Sequence, residues 1–408
     1  MLIHFWDLPE KRNYVLFNKK FNKKIIKILK DRKYEYKMLD RFKNRKIKIR
    51  TIKKLSSELN IDLRNFEKNI SWIGGLNSKG LSNPRLPFNF SNRNGARFIS
   101  AIVNDGCLTR KGKNGYCRLM YDNFDKTIRR SVINDYLSIF GGQRKEIAFR
   151  NYDKKKYLEF TSVIRDVLEL ILKKKGPKTE TNIAIPNFVF KDKENMLGWL
   201  EQTIADEAEI KYYPNKYRRS IVWRRSFDVT NIFNEKIKTT IPLRRLSSKL
   251  QKLVQEQKCN LIEGERKILE TINLSYRIYN LGVYPTTKNK IRTKWQISIT
   301  RRENLLKLRK MIKIPSKEKD KIFSNMCKEF RRYKEPLKIK QTIVNLGKNK
   351  RTFTAIDLKL KMRYKNISTT YKWLNKFEKE GLIKKIKLST YGKGHYRKPA
   401  KYKLILNK

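Results

Sequence analysis

The sequence is poor in the residues that most often build metal cages, disulfides and proton relays. It has only two histidines, His4 and His395, so acid–base chemistry based on histidine is not expected. The four cysteines show no C-x-x-C spacing, which argues against both a structural zinc site and a disulfide framework. A helix needs about 20 apolar residues to cross a bilayer, and no apolar run in this sequence is nearly that long. The first residues are too polar and aromatic for a secretory signal. We therefore expect a soluble protein with no membrane association.

Acidic residues are also scarce, and this imbalance is the main compositional signal. The chain has 99 Lys+Arg against 38 Asp+Glu, a formal charge of +61 over 408 residues. Such an excess repels itself in a folded protein, so a polyanionic partner is the natural explanation. A disordered basic tail is the plainer alternative, but 39% hydrophobic and 11% aromatic residues provide material for packed cores. The composition predicts a cytoplasmic, nucleoid-associated protein of two to four domains that binds nucleic acid, since a domain takes roughly 100–200 residues.

The N-terminal part, residues 1–75, is very basic and is predicted to be helical. Apolar residues recur at helical spacing in Arg50–Asp62, and a second short helix is predicted over Leu63–Ile70. This order is typical of a helix-turn-helix, and an ordinary helical hairpin explains it equally well. Residues 76–94, rich in Gly, Asn, Ser and Pro, are predicted to be a linker.

Two later segments, residues 95–178 and 179–335, show the same predicted order of elements. In each, a helix is followed by two strands, a second helix, two more strands and a third helix, the order αββαββα. In the first segment a Gly-rich turn, Lys111–Gly115, joins the first two strands as a hairpin. The repeat is one of architecture rather than of identity, and it predicts an α+β fold with an internal duplication.

The first helix of each segment ends in a short acidic motif. Phe98–Gly106 reads FISAIVNDG and Trp199–Ala208 reads WLEQTIADEA. Each motif is an apolar stretch that ends on a carboxylate, Asp105 or Glu207, followed by a small residue. For a single motif of this kind, a simple helix cap or turn residue is the more common explanation. Two motifs in the same structural context, about a hundred residues apart, favour a shared functional site.

These paired motifs resemble those of the LAGLIDADG homing endonuclease family in its single-chain, two-repeat form, over residues 85–335. The resemblance implies that the two motif helices pack against each other and present Asp105 and Glu207 to the scissile phosphates. It further implies a monomer with an internal pseudo-dimer. Where the family usually has a small residue five positions before the acid, this chain has Ser100 and Gln202. The expected helix-interface residues are Ser100, Asn104, Gln202 and Asp206.

Phosphodiester hydrolysis is consistent with these acids independently of the resemblance. The reaction needs charge neutralisation and an activated water, and Mg²⁺ held by carboxylate oxygens supplies both. Two cuts need two centres, and the pair Asp105 and Glu207 can serve them. The family also commonly uses a basic residue near the phosphates, and we expect Lys290 or Lys294 in this role.

The predicted strands carry basic residues that suit DNA recognition. In Lys290–Ile299 every other residue is polar, so one face of the strand can pack on helices while the other is basic. Such a face can follow the major groove and form hydrogen bonds to base edges, although a solvated face would also be polar. The candidate DNA contacts are Arg110, Lys111, Lys113, Arg118, Arg219, Arg224, Arg225, Lys290, Arg292, Lys294 and Gln296. In one strand Trp223 and Phe227 share a face with Arg219 and Arg225.

The C-terminal part, residues 336–408, resembles winged helix-turn-helix DNA-binding domains. A helix over Thr354–Lys361, a turn, a second helix over Ser368–Glu380 and a strand are followed by a Gly-rich basic hairpin. The exposed side of the second helix and the hairpin suit groove and phosphate contacts. The candidate residues are Thr369, Lys372, Lys376, Lys393 and Arg397. A winged helix that binds protein instead is the alternative.

These patterns together predict a sequence-specific, Mg²⁺-dependent endonuclease that cuts double-stranded DNA at a long site. The first alternative is a non-cleaving transcriptional regulator on the same scaffold. The second is a maturase that binds structured intron RNA. The retained acids favour cleavage, whereas Gln202 and Ala208 (where the family usually has Gly), with the added winged helix, favour the regulator.

Overall fold

The computed structural model describes residues 1–43, 45–108, 119–152, 155–173, 182–213, 218–233, 237–257, 259–287, 289–332, 336–362, 364, 366–387, 390–391 and 397–405. The chain forms two compact units, residues 1–327 and 328–408. Helices and antiparallel sheets occur in both units, which confirms the predicted α+β class. Among the described residues, no helix is both long enough and apolar enough to span a membrane.

The N-terminal region combines helices with a sheet. Its elements are β1 (Leu2–Ile3), β2 (Tyr14–Phe17), α1 (Lys19–Asp31), α2 (Tyr36–Arg41), β3 (Ile47–Lys48), α3 (Ile49–Leu59), α4 (Leu63–Glu67), β4 (Ile70–Gly74), β5 (Leu81–Ser82) and β6 (Phe88–Asn89). The strands pair in the order β3-β2-β4-β5, and β1 pairs with β6. The helical prediction for residues 1–75 therefore matches α1 to α4 but missed strands β1 to β4. The linker prediction for 76–94 also missed two paired strands.

A buried aromatic cluster explains why this region folds. Phe17 on β2 packs against Phe21 on α1, with ring centroids 5.2 Å apart, and Phe21 meets Phe66 edge-on at 5.5 Å. Burying such side chains stabilises the fold by roughly 1.5–3 kcal/mol each. The region is joined to the next segment by Arg12, which donates two hydrogen bonds to Asp166.

The next segment contains the first large sheet. Its elements are α5 (Arg93–Asp105), β7 (Gly106–Leu108), β8 (Leu119–Asp122), α6 (Lys126–Phe140), β9 (Ala148–Tyr152), β10 (Lys155–Phe160) and α7 (Ser162–Leu172). The four strands are antiparallel and pair in the order β7-β8-β10-β9. One face carries Leu119, Tyr121 and Leu158, which are fully buried. This face forms the core beneath the helices.

The following segment contains the second large sheet. Its elements are α8 (Lys193–Glu207), β11 (Glu209–Tyr213), β12 (Arg218–Asp228), α9 (Ser248–Glu256), α10 (Asn260–Thr271), β13 (Arg277–Pro285), β14 (Ile291–Ile299), α11 (Arg302–Met311) and α12 (Lys317–Arg332). The strands pair in the order β11-β12-β14-β13, so the first strand pairs with the second, and the second with the fourth, as in the first sheet. Where the sequence predicted a single helix between the two pairs of strands, the structure has α9 and the additional α10.

The helices α5 and α8 are buried on nearly all sides and pack against each other. A helix that is apolar or shielded all round belongs to the interior of a protein. The helices approach closely at Gly198, where a Cβ atom would lie 2.3 Å from the carbonyl oxygen of Arg93. Ser100 also bridges the pair, because its hydroxyl donates to the carbonyl oxygen of Trp199 at 3.0 Å. These contacts fix the relative position of the two helix ends.

The C-terminal unit has its own core. Beyond the end of α12 it contains α13 (Pro336–Asn349), β15 (Phe353–Thr354), α14 (Ala355–Met362), α15 (Ile367–Lys379), β16 (Ile383–Lys387), β17 (Thr390–Tyr391), β18 (Arg397–Lys398) and β19 (Lys401–Leu404). Three strands form a sheet in the order β15-β19-β16. Leu358, Leu374, Phe377 and Tyr402 are among the buried residues that hold helices and sheet together.

Candidate active site

Asp105 and Glu207 are each the last residue of a helix that passes directly into a strand. After Asp105 the backbone becomes extended at Gly106, and after Glu207 it becomes extended at Ala208. In both places the amide of the next residue still donates to the carbonyl oxygen four residues earlier, that of Ile102 or Ile204. Each helix therefore ends without a loop.

A cleft of about 730 Å³ lies at these helix ends and is strongly acidic. Seven of the described residues that line it carry carboxylates, and Lys319 is the one basic residue among them. The seven are Asp105, Asp122, Asp125, Asp206, Glu207, Glu209 and Glu318. The cleft is negatively charged, whereas the chain as a whole has a charge of +61. A cation is therefore the natural ligand of this cleft.

Asn123 links the ends of the two helices. Its amide nitrogen donates to Oδ2 of Asp105 at 3.0 Å and to Oδ1 of Asp206 at 3.2 Å. The structure therefore brings an acid of α5 and an acid of α8 within reach of one side chain. This residue, at the start of the turn between β8 and α6, was not among the predicted site residues.

Asp206 is held by several donors. Tyr121 donates its hydroxyl to Oδ1 at 2.7 Å, and Gln202 donates its amide to Oδ1 and Oδ2 at 2.9 and 3.0 Å. Burial and the nearby charge of Asp105 raise the pKa of Asp206 well above its ordinary value. The same surroundings, burial first, raise the pKa of Tyr121.

The four predicted helix-interface residues all lie at this junction. Ser100 contacts Thr203 across the interface at 3.2 Å, and Asn104 donates to the Ser100 hydroxyl at 3.2 Å. Gln202 is fully buried, and its amide donates a hydrogen bond to Asp206. It does not act as the small residue that would let the helices approach closely. The close approach of the helices that the family has at position 202 occurs here one turn earlier, at Gly198.

Glu207 is held by a buried ionic chain. Arg225 donates to Oε1 of Glu207 at 3.0 Å and also pairs with Glu265, which is fully buried. Trp223 donates its ring N–H to the other oxygen of Glu265 at 2.8 Å. Burial disfavours the charged guanidinium, yet the carboxylates of Glu265 and Glu207 raise the pKa of Arg225 above its ordinary value. Arg225 was predicted to contact DNA; instead its side chain is only 5% exposed and lies on the core face of the sheet.

Lys319 extends from α12 into the cleft. Its ammonium group donates to the carbonyl oxygen of Ala205 at 2.6 Å, at the carboxyl end of α8, where the helix dipole favours a cation. Burial lowers the pKa of Lys319, while the charges of Asp206 and Asp105 oppose this shift. Lys319 was not among the predicted site residues, because it lies over a hundred residues from the second motif in the chain.

Lys290 and Lys294, the predicted basic residues of the active site, are not among the described residues that line the cleft. Lys290 pairs with Asp228 at 3.2 Å, and the Lys294 ammonium lies 4.7 Å from the ring centre of Tyr284. Lys319 is the lysine that the structure brings to the acids.

The second large sheet has a polar face opposite its core. Because directly paired residues of antiparallel strands share a face, Arg224 lies beside Gln296, to which it donates at 3.0 Å. Lys294 and Arg292 follow on that face by alternation along β14. Arg219 lies on the opposite face with Trp223. Four further candidates lie outside the described residues, namely Arg110, Lys111, Lys113 and Arg118.

In the C-terminal unit, α15 presents Lys372 and Lys376 to solvent, whereas Thr369 is half-buried. The Lys376 ammonium lies 5.3 Å from the ring centre of Trp373 and 3.6 Å from Glu380. Lys393 lies outside the described residues, and the backbone of Arg397 forms part of β18.

The donor chemistry of the cleft fits Mg²⁺, which prefers carboxylate oxygens. Among the described residues, no three acidic, histidine or cysteine side chains converge as a complete metal cage. Mg²⁺ is usually held by one or two carboxylates with waters and substrate phosphates, so Asp105 and Glu207, which both line the cleft, suit it. These two residues would hold the ion.

Comparisons with known proteins add little to this geometry. No family model and no curated protein matches the chain. A similar solved structure is the crystal structure of the N-terminal LAGLIDADG domain of DUF199/WhiA. It is 11% identical, covers 55% of this chain and 84% of that chain, and has a TM-score of 0.28. A similarity at that level does not establish a shared fold.

Proposed function

We propose that this protein is a Mg²⁺-dependent DNA endonuclease of the LAGLIDADG type that cuts both strands of a long duplex site. One observation carries the proposal: an acidic cleft, with Asp105 and Glu207 at two packed helix ends, in a chain of charge +61. The positive charge attracts duplex DNA, and the cleft attracts the cation that a scissile phosphate needs.

The arrangement of elements supports this proposal. Both large sheets pair their four strands in the same order, and each follows one of the two packed helices. Two acids from equivalent places can serve the two strands of a duplex. The same duplication is expected of the two-repeat form of this family.

The side chains around the acids have distinct tasks in the proposed reaction. Mg²⁺ bound by Asp105 and Glu207 would neutralise phosphate charge and favour ionisation of a water. Asn123 orients Asp105, and Arg225 orients Glu207. Lys319 supplies a positive charge at the cleft, where it can contact a phosphate oxygen.

DNA recognition is assigned to two surfaces. On the second large sheet, Arg224, Arg292, Lys294 and Gln296 form a polar face with donors suited to base edges and phosphates. In the C-terminal unit, the order of helices and strands fits a winged helix, in which α15 carries the exposed Lys372 and Lys376.

Cleavage of duplex DNA from the gene's own flanking locus, with Mg²⁺, tests the proposal. We expect Asp105→Asn and Glu207→Gln each to slow cutting at least about a hundredfold, because each removes a charge that the metal needs. Binding measured in EDTA should change little. Cutting that survives both substitutions would exclude this active site.

A non-cleaving DNA-binding regulator on the same scaffold is the second candidate. The buried Arg225 favours it, because a guanidinium that occupies an oxygen of Glu207 competes with a metal ion. Specific duplex binding with no cleavage under any divalent ion would establish the regulator. Preference for structured intron RNA over duplex DNA would instead indicate a maturase.

A further inference from the structure

The exposed face of α1 carries a continuous row of lysines. Six lysines of this 13-residue helix are exposed, while Phe21, Ile25 and Leu29 are buried on the opposite side. The six are Lys19, Lys20, Lys23, Lys24, Lys27 and Lys30. Among the described residues, none of the six forms an ion pair. We call this row the α1 lysine face.

The α1 lysine face is destabilising for the helix by itself. Lysines four apart, such as Lys19 and Lys23, lie on the same side of the helix and repel each other, which destabilises the helix. No acid occupies the first turn, where the positive end of the helix dipole favours one. A polyanion bound along this face would remove both costs.

Another exposed helix of the same chain shows the ordinary pattern. On α10, Arg266 pairs with Glu263 at 3.0 Å and with Glu270 at 2.9 Å, so its charge is balanced within the helix. The α1 lysine face lacks such internal partners among the described residues. The difference indicates that the charge of the α1 lysine face is available to bind an external ligand.

The helix is held rigidly on the body of the protein. Phe21 packs into the aromatic cluster of the N-terminal region, and Asn18 caps the helix by accepting from the amide of Phe21 at 2.8 Å. Arg12 and Asn13 both donate to Asp166 of α7. The lysines are therefore presented at a fixed place in the unit that contains the acidic cleft.

We propose that the α1 lysine face binds the phosphate backbone of duplex DNA outside the cleaved or recognised site. From Lys19 to Lys30 the face is about 16 Å long, which is close to half a turn of a duplex. Ammonium groups on flexible stems suit phosphate oxygens rather than base edges. The face therefore adds affinity without sequence preference. This inference rests on the proposed DNA binding but not on cleavage.

The test compares two triple variants that lose the same charge. One is Lys20→Gln/Lys23→Gln/Lys27→Gln, and its matched control is Lys249→Gln/Lys252→Gln/Lys310→Gln, three exposed lysines on other helices. Glutamine keeps good helix propensity. Binding to duplex DNA is measured in EDTA across a range of salt concentrations.

We expect the slope of log K against log[salt] to become shallower by about 2–3 in the α1 triple, or 0.9 per lost phosphate contact. The loss should be the same for specific and unrelated duplexes, and the control should keep the parent slope. Circular dichroism should show both variants folded.

Three outcomes would overturn the inference. The α1 triple could keep the parent slope, the control could lose as much, or the loss could appear with structured RNA and not with duplex DNA. A parent protein that does not bind duplex DNA in the same assay would instead overturn the proposed DNA binding itself. The two failures are therefore distinguishable.

Discussion

The ends of α5 and α8 hold their acids in different ways. Asp105 accepts a hydrogen bond from the neutral amide of Asn123, whereas Glu207 accepts one from the buried guanidinium of Arg225. A neutral donor orients a carboxylate and leaves its charge in place. A buried cation orients it and also neutralises it. The two helix ends thus differ in electrostatics.

The largest effect should come from removing the cation beside Glu207. Arg225→Met leaves Glu265 buried without its charged partner, so we expect the free energy of unfolding to fall by about 3–5 kcal/mol. Binding of Tb³⁺, a luminescent probe of oxygen sites, should tighten at least tenfold, about 1.4 kcal/mol, because the competing charge is gone.

A matched control lies at the opposite end of α5. Arg97 pairs with the buried Asp135, eight residues and about 12 Å before Asp105. Arg97→Met should cost similar stability and leave Tb³⁺ binding unchanged. The double variant Arg225→Met/Glu265→Leu should recover stability and keep the tighter binding. Equal Tb³⁺ affinity in all variants would mean that Arg225 is structural only.

A smaller effect is expected at the Asp105 side. Asn123→Ala removes the amide that serves Asp105 and Asp206, and hydrogen bonds to charged groups contribute about 1.5–3 kcal/mol. Urea unfolding should show a loss in that range. The control Asn304→Ala removes a bond to the neutral carbonyl oxygen of Ser275, for which about 0.5–1.5 kcal/mol is expected. If the two variants lost the same free energy of unfolding, the acceptor of the Asn123 amide would not be charged.

The smallest effect concerns pH. The pKa of Asp206 is raised in the folded protein by burial and by Asp105, so the folded state binds this proton more tightly than the unfolded state does. The contribution of this group to stability is then present at low pH and declines as pH rises through the raised pKa. Asp206→Asn should remove that decline. Parallel stability–pH curves for variant and parent, measured by urea unfolding without metal, would contradict the assignment.

Elements with strong local patterns were predictable. The segments that became α5, α6 and α8 each follow an Asn or Asp that caps the helix, and β14 has clear alternation. The N-terminal strands β2 and β4 were missed because they pair with each other across more than fifty residues. The helix α10 was missed where Gly264 lowers helix propensity; in the fold that glycine admits the side chain of Ile185.

The candidate site was only partly predictable for a similar reason. Alternation along β12 placed Arg225 on the same face as Trp223 and Phe227. The sequence pattern therefore already indicated that Arg225 could be buried. Its partner Glu265 lies forty residues further along and carries no local signal. The predicted basic residues, Lys290 and Lys294, belong to the second large sheet or its edge. The lysine that lines the cleft, Lys319, belongs to α12.

The sequence by itself determined the excess of positive charge, the two acidic helix ends and the order of helices and strands around them, because these depend on composition and local periodicity. Only the tertiary structure decided which side chains surround the acids. Asn123, Arg225 and Lys319 come from three elements distant in the chain, and packing alone brings them together. Long-range packing, rather than local pattern, thus set the charge and orientation of each carboxylate.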